Sequence, residues 1–300
     1  VLDIPDARSS HQHPTPRGGG LSVVLVCGAA WALLALSGVL DWREAAALLI
    51  GGGLVAAVGY YDDLRGASAR QRLAVHVSVS AAVVLTVGPA RVSGWLPIDA
   101  LLTLLGLAWL VNLYNFMDGI DGLAASESVF VGLVGGVLLW ITGVPGLAVA
   151  AWCVAAACGG FLVWNWAPAK IFMGDVCSGF LGLTWGVFAV MSARARAVPY
   201  WAWLALLGVF VVDTTITLIR RILHGERFWQ PHRTHAYQHA VDHVDGRHSP
   251  VTLAIQAINL LWLAPAAVLV TFSASDEPVI ALATLVPLVV LALAMRAGRP

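Results

Sequence analysis

Stretches of about 20 apolar residues recur along nearly the whole 300-residue chain, each long enough to cross a hydrocarbon core of about 30 Å. A water-soluble domain could not bury them all, because its exterior needs more polar side chains than this sequence owns. Hydrophobic residues make up 59% of the chain and charged residues 11%, against about 45–50% and about 25% in a typical soluble domain. The pattern predicts an all-α fold, a polytopic transmembrane helical bundle. Ten spans are expected, at 20–40, 44–61, 73–88, 100–116, 122–142, 146–166, 178–193, 200–219, 251–273 and 278–295. The chain 1–300 reads as one integral membrane domain, with 224–250 a His- and Arg-rich loop within it.

Lysine and arginine give the orientation. Thirteen of the 17 fall in segments on the N-terminal side of such a bundle, and four, Arg43, Arg91, Arg194 and Arg196, on the other. The positive-inside rule makes the N-terminal side cytoplasmic. The zero net charge gives no reason to expect a nucleic-acid partner. Cys27, Cys153, Cys158 and Cys177 lack metal-ligand spacing and read as small packing residues rather than a disulfide framework. The chain opens on Val1 and a polar stretch to Gly20, a start that fits truncation.

Five polar segments look chemically organised, and all fall on or beside the N-terminal side. Asp62 and Asp63 end the second span, followed by Arg65, Arg70 and Arg72. Adjacent carboxylates at a membrane edge persist when a cation or arginines compensate them, although a solvated helix end would look the same. In Asn112-Leu-Tyr-Asn115-Phe-Met-Asp118-Gly-Ile-Asp121-Gly122, polar oxygen groups recur every three residues. An unbroken α-helix would turn Asn112 and Asp121 to opposite faces, whereas a 3₁₀ stretch or a break at Gly119 and Gly122 would gather them. Oxygen-rich groups on a broken helix suit Mg²⁺ and phosphate chemistry; a plain inter-helix turn is the alternative.

The third segment, Lys170-Ile-Phe172-Met-Gly174-Asp175-Val-Cys177, places a lysine and an aspartate before a span, as in a phosphate or metal pocket at a helix N-terminus. It is not a P-loop, because the Gly-x4-Gly-Lys spacing is absent. The fourth holds Pro231-His232-Arg233-Thr234-His235-Ala-Tyr237-Gln238-His239. Four-residue spacing of His235, His239 and His243 invites a zinc reading, but anion binding suits His232, Arg233 and His235 better. The fifth, 3–20, joins two acids and two arginines to a Pro-Thr-Pro turn ending at Arg17. Two isolated residues complete the survey. His76 reads as a buried histidine with satisfied hydrogen bonds, and Asp213, deep in the eighth span, as a functional acid or a structural cap.

Taken in order, these motifs resemble the polyprenyl-phosphate N-acetylhexosamine-1-phosphate transferase superfamily (glycosyltransferase family 4), which includes the MraY-, WecA- and TagO-type enzymes. They run from Asp-x-Pro-x-x-Arg and Pro-Thr-Pro-Arg-x-Gly-Gly through Asp62-Asp63, the Asn112 to Gly122 run and Lys170-Ile-Phe-Met-Gly-Asp175 to His232-Arg-x-His235-x-Tyr-Gln. The last resembles the O-antigen- and capsule-initiating (WbpL-like) branch. The resemblance implies Mg²⁺ (Mn²⁺ as a substitute) held by Asp175 with Asn115. It gives Asp62, Asp63 and Asp118 catalytic work, the first two orienting and deprotonating the lipid phosphate or binding metal and Asp118 lining the pocket. Asp121 and Phe172 would hold a uracil ring. Arg72, Arg233 and His235 would meet the donor's phosphates and sugar, and Asn112, Lys170 and His232 would also contact substrate. Such relatives usually carry one more span before the Asp-x-Pro segment, which would make eleven, and commonly Gly at the position of Cys177.

The expected activity is transfer of an N-acetylamino-sugar-1-phosphate from a UDP-sugar to undecaprenyl phosphate with release of UMP. It would initiate cell-surface polysaccharide synthesis at the cytoplasmic face of a bacterial plasma membrane, by a monomer or a homodimer. Two alternatives stand beside it. A CDP-alcohol phosphatidyltransferase shares the Asp118-Gly-Ile-Asp121-Gly-Leu-Ala124 half-signature but has arginine where Ala125 stands. A secondary transporter would carry charges at mid-membrane on repeated broken helices.

Overall fold

The computed structural model describes residues 2–3, 14–226, 232–273 and 275–299. Asp6, Arg8 and His11 of the N-terminal motif, and Arg227 and Pro231 of the later loop, lie outside them. A two-residue antiparallel pair, β1 (Leu2–Asp3) and β2 (Thr15–Pro16), precedes the helices α1 (Leu21–Leu36), α2 (Trp42–Arg65), α3 (Ala69–Thr86), α4 (Leu96–Met117), α5 (Leu123–Ile141) and α6 (Pro145–Asn165). After them come α7 (Asp175–Arg194), α8 (Tyr200–Leu206), α9 (Gly208–Leu223), α10 (Ala236–Asp242), α11 (His248–Phe272) and α12 (Glu277–Ala294).

Each of the ten expected segments is helical. Among the described residues seven helices, α2, α4, α5, α6, α7, α11 and α12, are long and apolar enough to cross a membrane, and the α8–α9 pair makes an eighth if counted as one span. That pair bends by 80° where one continuous span was expected. The bend falls at Gly208, whose missing side chain admits Leu263 and Leu285. At 16 residues α1 is an apolar but shorter helix, and α3 carries Arg70, Arg72 and His76 in its first half.

α7 is the central post. Every residue from Val176 to Ser192 is buried, because α2 and α4 flank it closely. Glycine makes that closeness feasible: a side chain at Gly59 of α2 would collide with the Asp175 carbonyl, and one at Gly182 of α7 with the Leu110 carbonyl of α4. Outward faces carry exposed Leu25, Leu33, Leu54, Leu105, Val163, Leu261 and Val290, an apolar surface that suits lipid rather than water. Three of the four free cysteines are buried and Cys153 is partly so, as expected of packing residues.

Candidate functional site

Three chain segments meet at the first turn of α7. α2 ends with Asp62 and Asp63, and Gly66, at φ 74°, turns the chain out of the helix. Ser68 and Gln71 form a capping box that starts α3 at once, so Arg72 lies one turn into α3 and folds back onto Asp62. Gly174, at φ 81°, turns the chain into α7 with Asp175 as its first residue. Residues 16–20 run beside 172–173: Phe172 N donates to Pro16 O at 2.8 Å, Gly19 N to Phe172 O at 3.0 Å and Gly20 N to Met173 O at 3.0 Å. That backbone pairing fixes Arg17 against Asp175.

The result is an alternating carboxylate–guanidinium cluster. Arg17 Nε lies 2.8 Å from Asp63 and its Nη2 2.8 Å from Asp175 Oδ1. Arg72 Nη1 lies 2.5 Å from Asp62 and 3.2 Å from Asp175 Oδ2. Asp63 also accepts the backbone amides of Asp175 and Val176, both at 3.0 Å. It therefore caps α7 from another helix, and a carboxylate there is stabilised by the helix dipole as well. Asn115 Nδ2 donates to Ser178 Oγ, one turn into α7, at 3.1 Å. Burial tends to lower the Arg17 pKa, but Asp175, Asp63 and other acids together raise it, so this guanidinium is held charged. Burial, then the neighbouring Asp175, pushes the Asp118 carboxyl well above the ordinary range.

Two cavities open on this cluster. One, of about 240 Å³, has apolar walls from Val55, Val58, Leu73, Trp109 and Leu218, with Arg72, Asn112, Asn115 and Asp175 at its polar end. The other, also about 240 Å³, is polar, lined by Arg17, Asn115, Asp118, Asp121, Phe172 and Asp175 among others. Asn115 and Asp175 line both.

The three-residue repeat is divided by this arrangement. The helix breaks after Met117, with Gly122 at φ 75°, as one of the two expected solutions required. Asn112 faces the apolar-walled cavity and Asp121 the polar one, so only Asn115 serves both. Asp121 is also a structural tie. Its Oδ2 accepts Ala169 N at 2.9 Å, its Oδ1 lies 3.2 Å from His248 Nδ1, and its backbone oxygen accepts from Thr252.

Other expected residues lie elsewhere. Lys170 is exposed, its Nζ 5.4 Å from the Trp164 ring centre, and lines none of the cavities described; cation–π attraction to the outward Trp164 draws it away. His232, Arg233 and His235 also line none of them. His232 and His235 stand behind Phe116 at ring separations of 6.2 and 6.0 Å, while Arg233 pairs with Asp242 at 2.6 Å. Burial depresses the His232 pKa to about 3, so its imidazole is neutral near pH 7.

Asp213 proves to be the cap that was one of its two readings. It accepts Ala236 N at 2.9 Å and Tyr237 N at 3.0 Å, and lies 3.2 Å from His235 Nδ1. His76 departs from expectation: its Nδ1 is buried without a hydrogen-bond partner among the described residues, beside the apolar-walled cavity. Arg17, the residue most firmly inside the cluster, was visible in sequence only as the end of the Pro-Thr-Pro-Arg motif. Nothing in its spacing pointed across 158 residues to Asp175.

Among the described residues no three His, Cys, Asp or Glu side chains stand ready to hold a metal ion, and this includes the histidines of the zinc reading. The donors around Asp175 are nevertheless all oxygen, from Asp62, Asp118, Asp175 and the Asn115 amide, and that chemistry suits Mg²⁺.

The family model described as glycosyl transferase family 4 matches residues 45–193. The chain is 30% identical over 287 residues to a probable undecaprenyl-phosphate N-acetylglucosaminyl 1-phosphate transferase of Bacillus subtilis, covering 90% of this chain and 77% of that protein. It is 31% identical to a decaprenyl-phosphate N-acetylglucosaminephosphotransferase of Mycolicibacterium smegmatis, covering 88% of this chain and 73% of the relative. Similarity extends to a phospho-N-acetylmuramoyl-pentapeptide-transferase of Desulforamulus reducens, at 30% identity over 69% of this chain and 68% of the relative.

Proposed function

The chain belongs to glycosyl transferase family 4, among the polyprenyl-phosphate N-acetylhexosamine-1-phosphate transferases, and on that premise we propose that it transfers an N-acetylamino-sugar-1-phosphate from a UDP-sugar to undecaprenyl phosphate. In this reading the ten helical segments all cross a bacterial plasma membrane, with the Asp175 cluster on the cytoplasmic face. The product starts a cell-surface polysaccharide, on the O-antigen, capsule or wall-polymer pattern.

The observation that carries the proposal is that two cavities of opposite character share Asp175 and Asn115. An acceptor with one phosphate on a long hydrocarbon needs apolar walls leading to a cationic end, which the cavity ending at Arg72 supplies. A nucleotide diphosphate sugar needs hydrogen-bonding walls, supplied by the cavity of Asp118, Asp121 and Phe172. Uracil would lie against Phe172, as the sequence resemblance implies.

The acceptor's phosphate oxygen attacks the β-phosphorus of the donor. A bond forms from that oxygen to the β-phosphorus, the bond from the β-phosphorus to the bridging oxygen breaks, and UMP leaves with the electron pair. A phosphate monoester has a second pKa of about 6, so the acceptor is largely dianionic at neutral pH and no strong base is needed. The chief obstacle is the approach of one anion to another. Asp175 and Asn115 would hold Mg²⁺, which supplies charge neutralisation at the diphosphate. Asp62, bonded to Arg72, positions that guanidinium at the acceptor end. Asp63 keeps the first turn of α7, and so Asp175, in register with α2.

The test is UMP release from UDP-N-acetylglucosamine and related donors by purified protein in detergent. We expect release that requires both undecaprenyl phosphate and Mg²⁺, and its loss in Asp175→Asn. Release without any lipid acceptor, or undiminished release by the variant, overturns the reading.

A further inference from the structure

Arg17 and Arg72 grip the same carboxylate from opposite sides. Arg17 holds Asp175 Oδ1 and lines the polar cavity; Arg72 holds Asp175 Oδ2 and lines the apolar-walled one. Neither arginine lines the other's cavity. Each also has a second carboxylate on its own side, Asp63 for Arg17 and Asp62 for Arg72. With about a third of each guanidinium side chain exposed, 31% and 34%, both can exchange a carboxylate for an incoming anion.

From this arrangement we infer a division of labour: Arg17 binds the diphosphate of the nucleotide sugar, and Arg72 binds the single phosphate of the lipid acceptor. This rests on the reaction proposed above and deepens it, since it gives Arg17, to which the sequence resemblance assigned no role, the donor's diphosphate opposite Arg72 at the acceptor. Before substrate arrives the two guanidiniums neutralise Asp175. When a phosphate enters either cavity, the arginine of that cavity pairs with it by charge-assisted, bidentate hydrogen bonds. It stays within reach because its second carboxylate still tethers it. Asp175 is thereby released on one edge per substrate, and is free on both edges only when donor and acceptor are present together. The cluster thus carries its own requirement for both substrates.

The two tethers are unequal. Asp63 has two backbone amides to fall back on, so it tolerates the departure of Arg17. Asp62 accepts one, from Ala67. The backbone pairing of residues 16–20 with 172–173 keeps Arg17 at the lip of the polar cavity whichever anion it holds.

The experiment is a pair of binding titrations on the full chain in detergent, with UDP as one probe and a short-chain polyprenyl phosphate as the other. Wild type, Arg17→Gln, Arg17→Lys, Arg72→Gln and Arg72→Lys are compared without turnover. Loss of a charged hydrogen bond to phosphate predicts a Kd for UDP raised about tenfold or more in Arg17→Gln, with polyprenyl phosphate affinity changed less than about twofold. Arg72→Gln gives the mirror image. The lysine variants lie between, because charge remains while the bidentate fork is lost. Each variant's retained ligand certifies its folding.

Equal weakening of both ligands in both variants overturns the division while leaving the proposed reaction intact. Failure of the wild type to bind either probe counts against the reaction itself. A variant that binds neither ligand and also unfolds at lower temperature overturns the division in favour of a purely structural arginine.

Discussion

Asp175 and Asp213 are both aspartates on helices of the same bundle, the first half-buried and the second buried, and they are held in opposite ways. Asp213 is gripped by two backbone amides, with the His235 ring beside it. Amides cannot leave without unfolding α10, so this carboxylate is spent on architecture. Asp175 is gripped by two guanidiniums on flexible side chains, and these can exchange partners. The deeper acid, which the sequence left open as a functional acid or a structural cap, anchors a loop. The acid at the membrane edge keeps its chemistry available. Exchangeability of partners separates the two, and exposure goes with it: 17% of the Asp175 side chain is accessible against 5% of Asp213.

The comparison breaks most easily at Asp175 itself. Asp175→Asn is expected to lower turnover by about 10²–10³-fold or more while stability in detergent, followed by thermal unfolding, changes by less than about 1 kcal/mol. Asp62 and Asp63 remain there to pair the arginines. A large fall in stability with modest loss of turnover would make Asp175 a second Asp213.

Gly59→Val attacks the same centre without touching its charges. The added side chain meets the Asp175 carbonyl and pushes α2 from α7, and a displacement near 1 Å is expected to cost about 10²-fold in turnover. Unchanged turnover would mean that the Asp63 cap tolerates displacement.

At the other pole, Asp213→Ala removes the acceptor of two amides and should cost about 3 kcal/mol of stability, seen as a lower unfolding temperature. Turnover at a temperature where the variant stays folded should fall less than in Gly59→Val. The smallest effect is a pH effect. His232 is held neutral in the folded protein, with its pKa depressed to about 3, whereas the unfolded chain takes up that proton below about pH 6.5. Stability is therefore lost as pH falls from about 6.5 towards 3. His232→Gln is expected to reduce that loss while leaving the unfolding temperature at pH 7.5 almost unchanged. An identical acid profile in wild type and variant would remove His232 from the account.

The helices were legible because the signal for a span is local: a run of apolar residues is complete in itself, and all ten segments proved helical. The 80° bend at Gly208 was not, since a glycine inside an apolar run signals a kink only when neighbouring helices press against it. Among site residues, Asp62, Asn115, Asp118 and Asp175 were legible as motifs and do converge. Lys170 carried the right charge beside the right motif, yet the backbone turns it onto Trp164. Arg17 illustrates the converse. Its place depends on a main-chain pairing between residues 16–20 and 172–173, for which side-chain pattern holds no clue.

That pairing has a consequence for the order in which the molecule is made. Arg17 emerges from the ribosome long before Asp175, so six helices, α1 to α6, are made while the two wait for each other. Until α7 arrives, Arg17 and Arg72 lack the carboxylate they share, and residues 16–20 lack residues 172–173 to pair with. A nascent or truncated chain that stops short of residue 175 can resemble the finished bundle in its lipid-facing helices, yet it holds no assembled charge cluster. Completion of the charge cluster is thus timed by synthesis of the central helix.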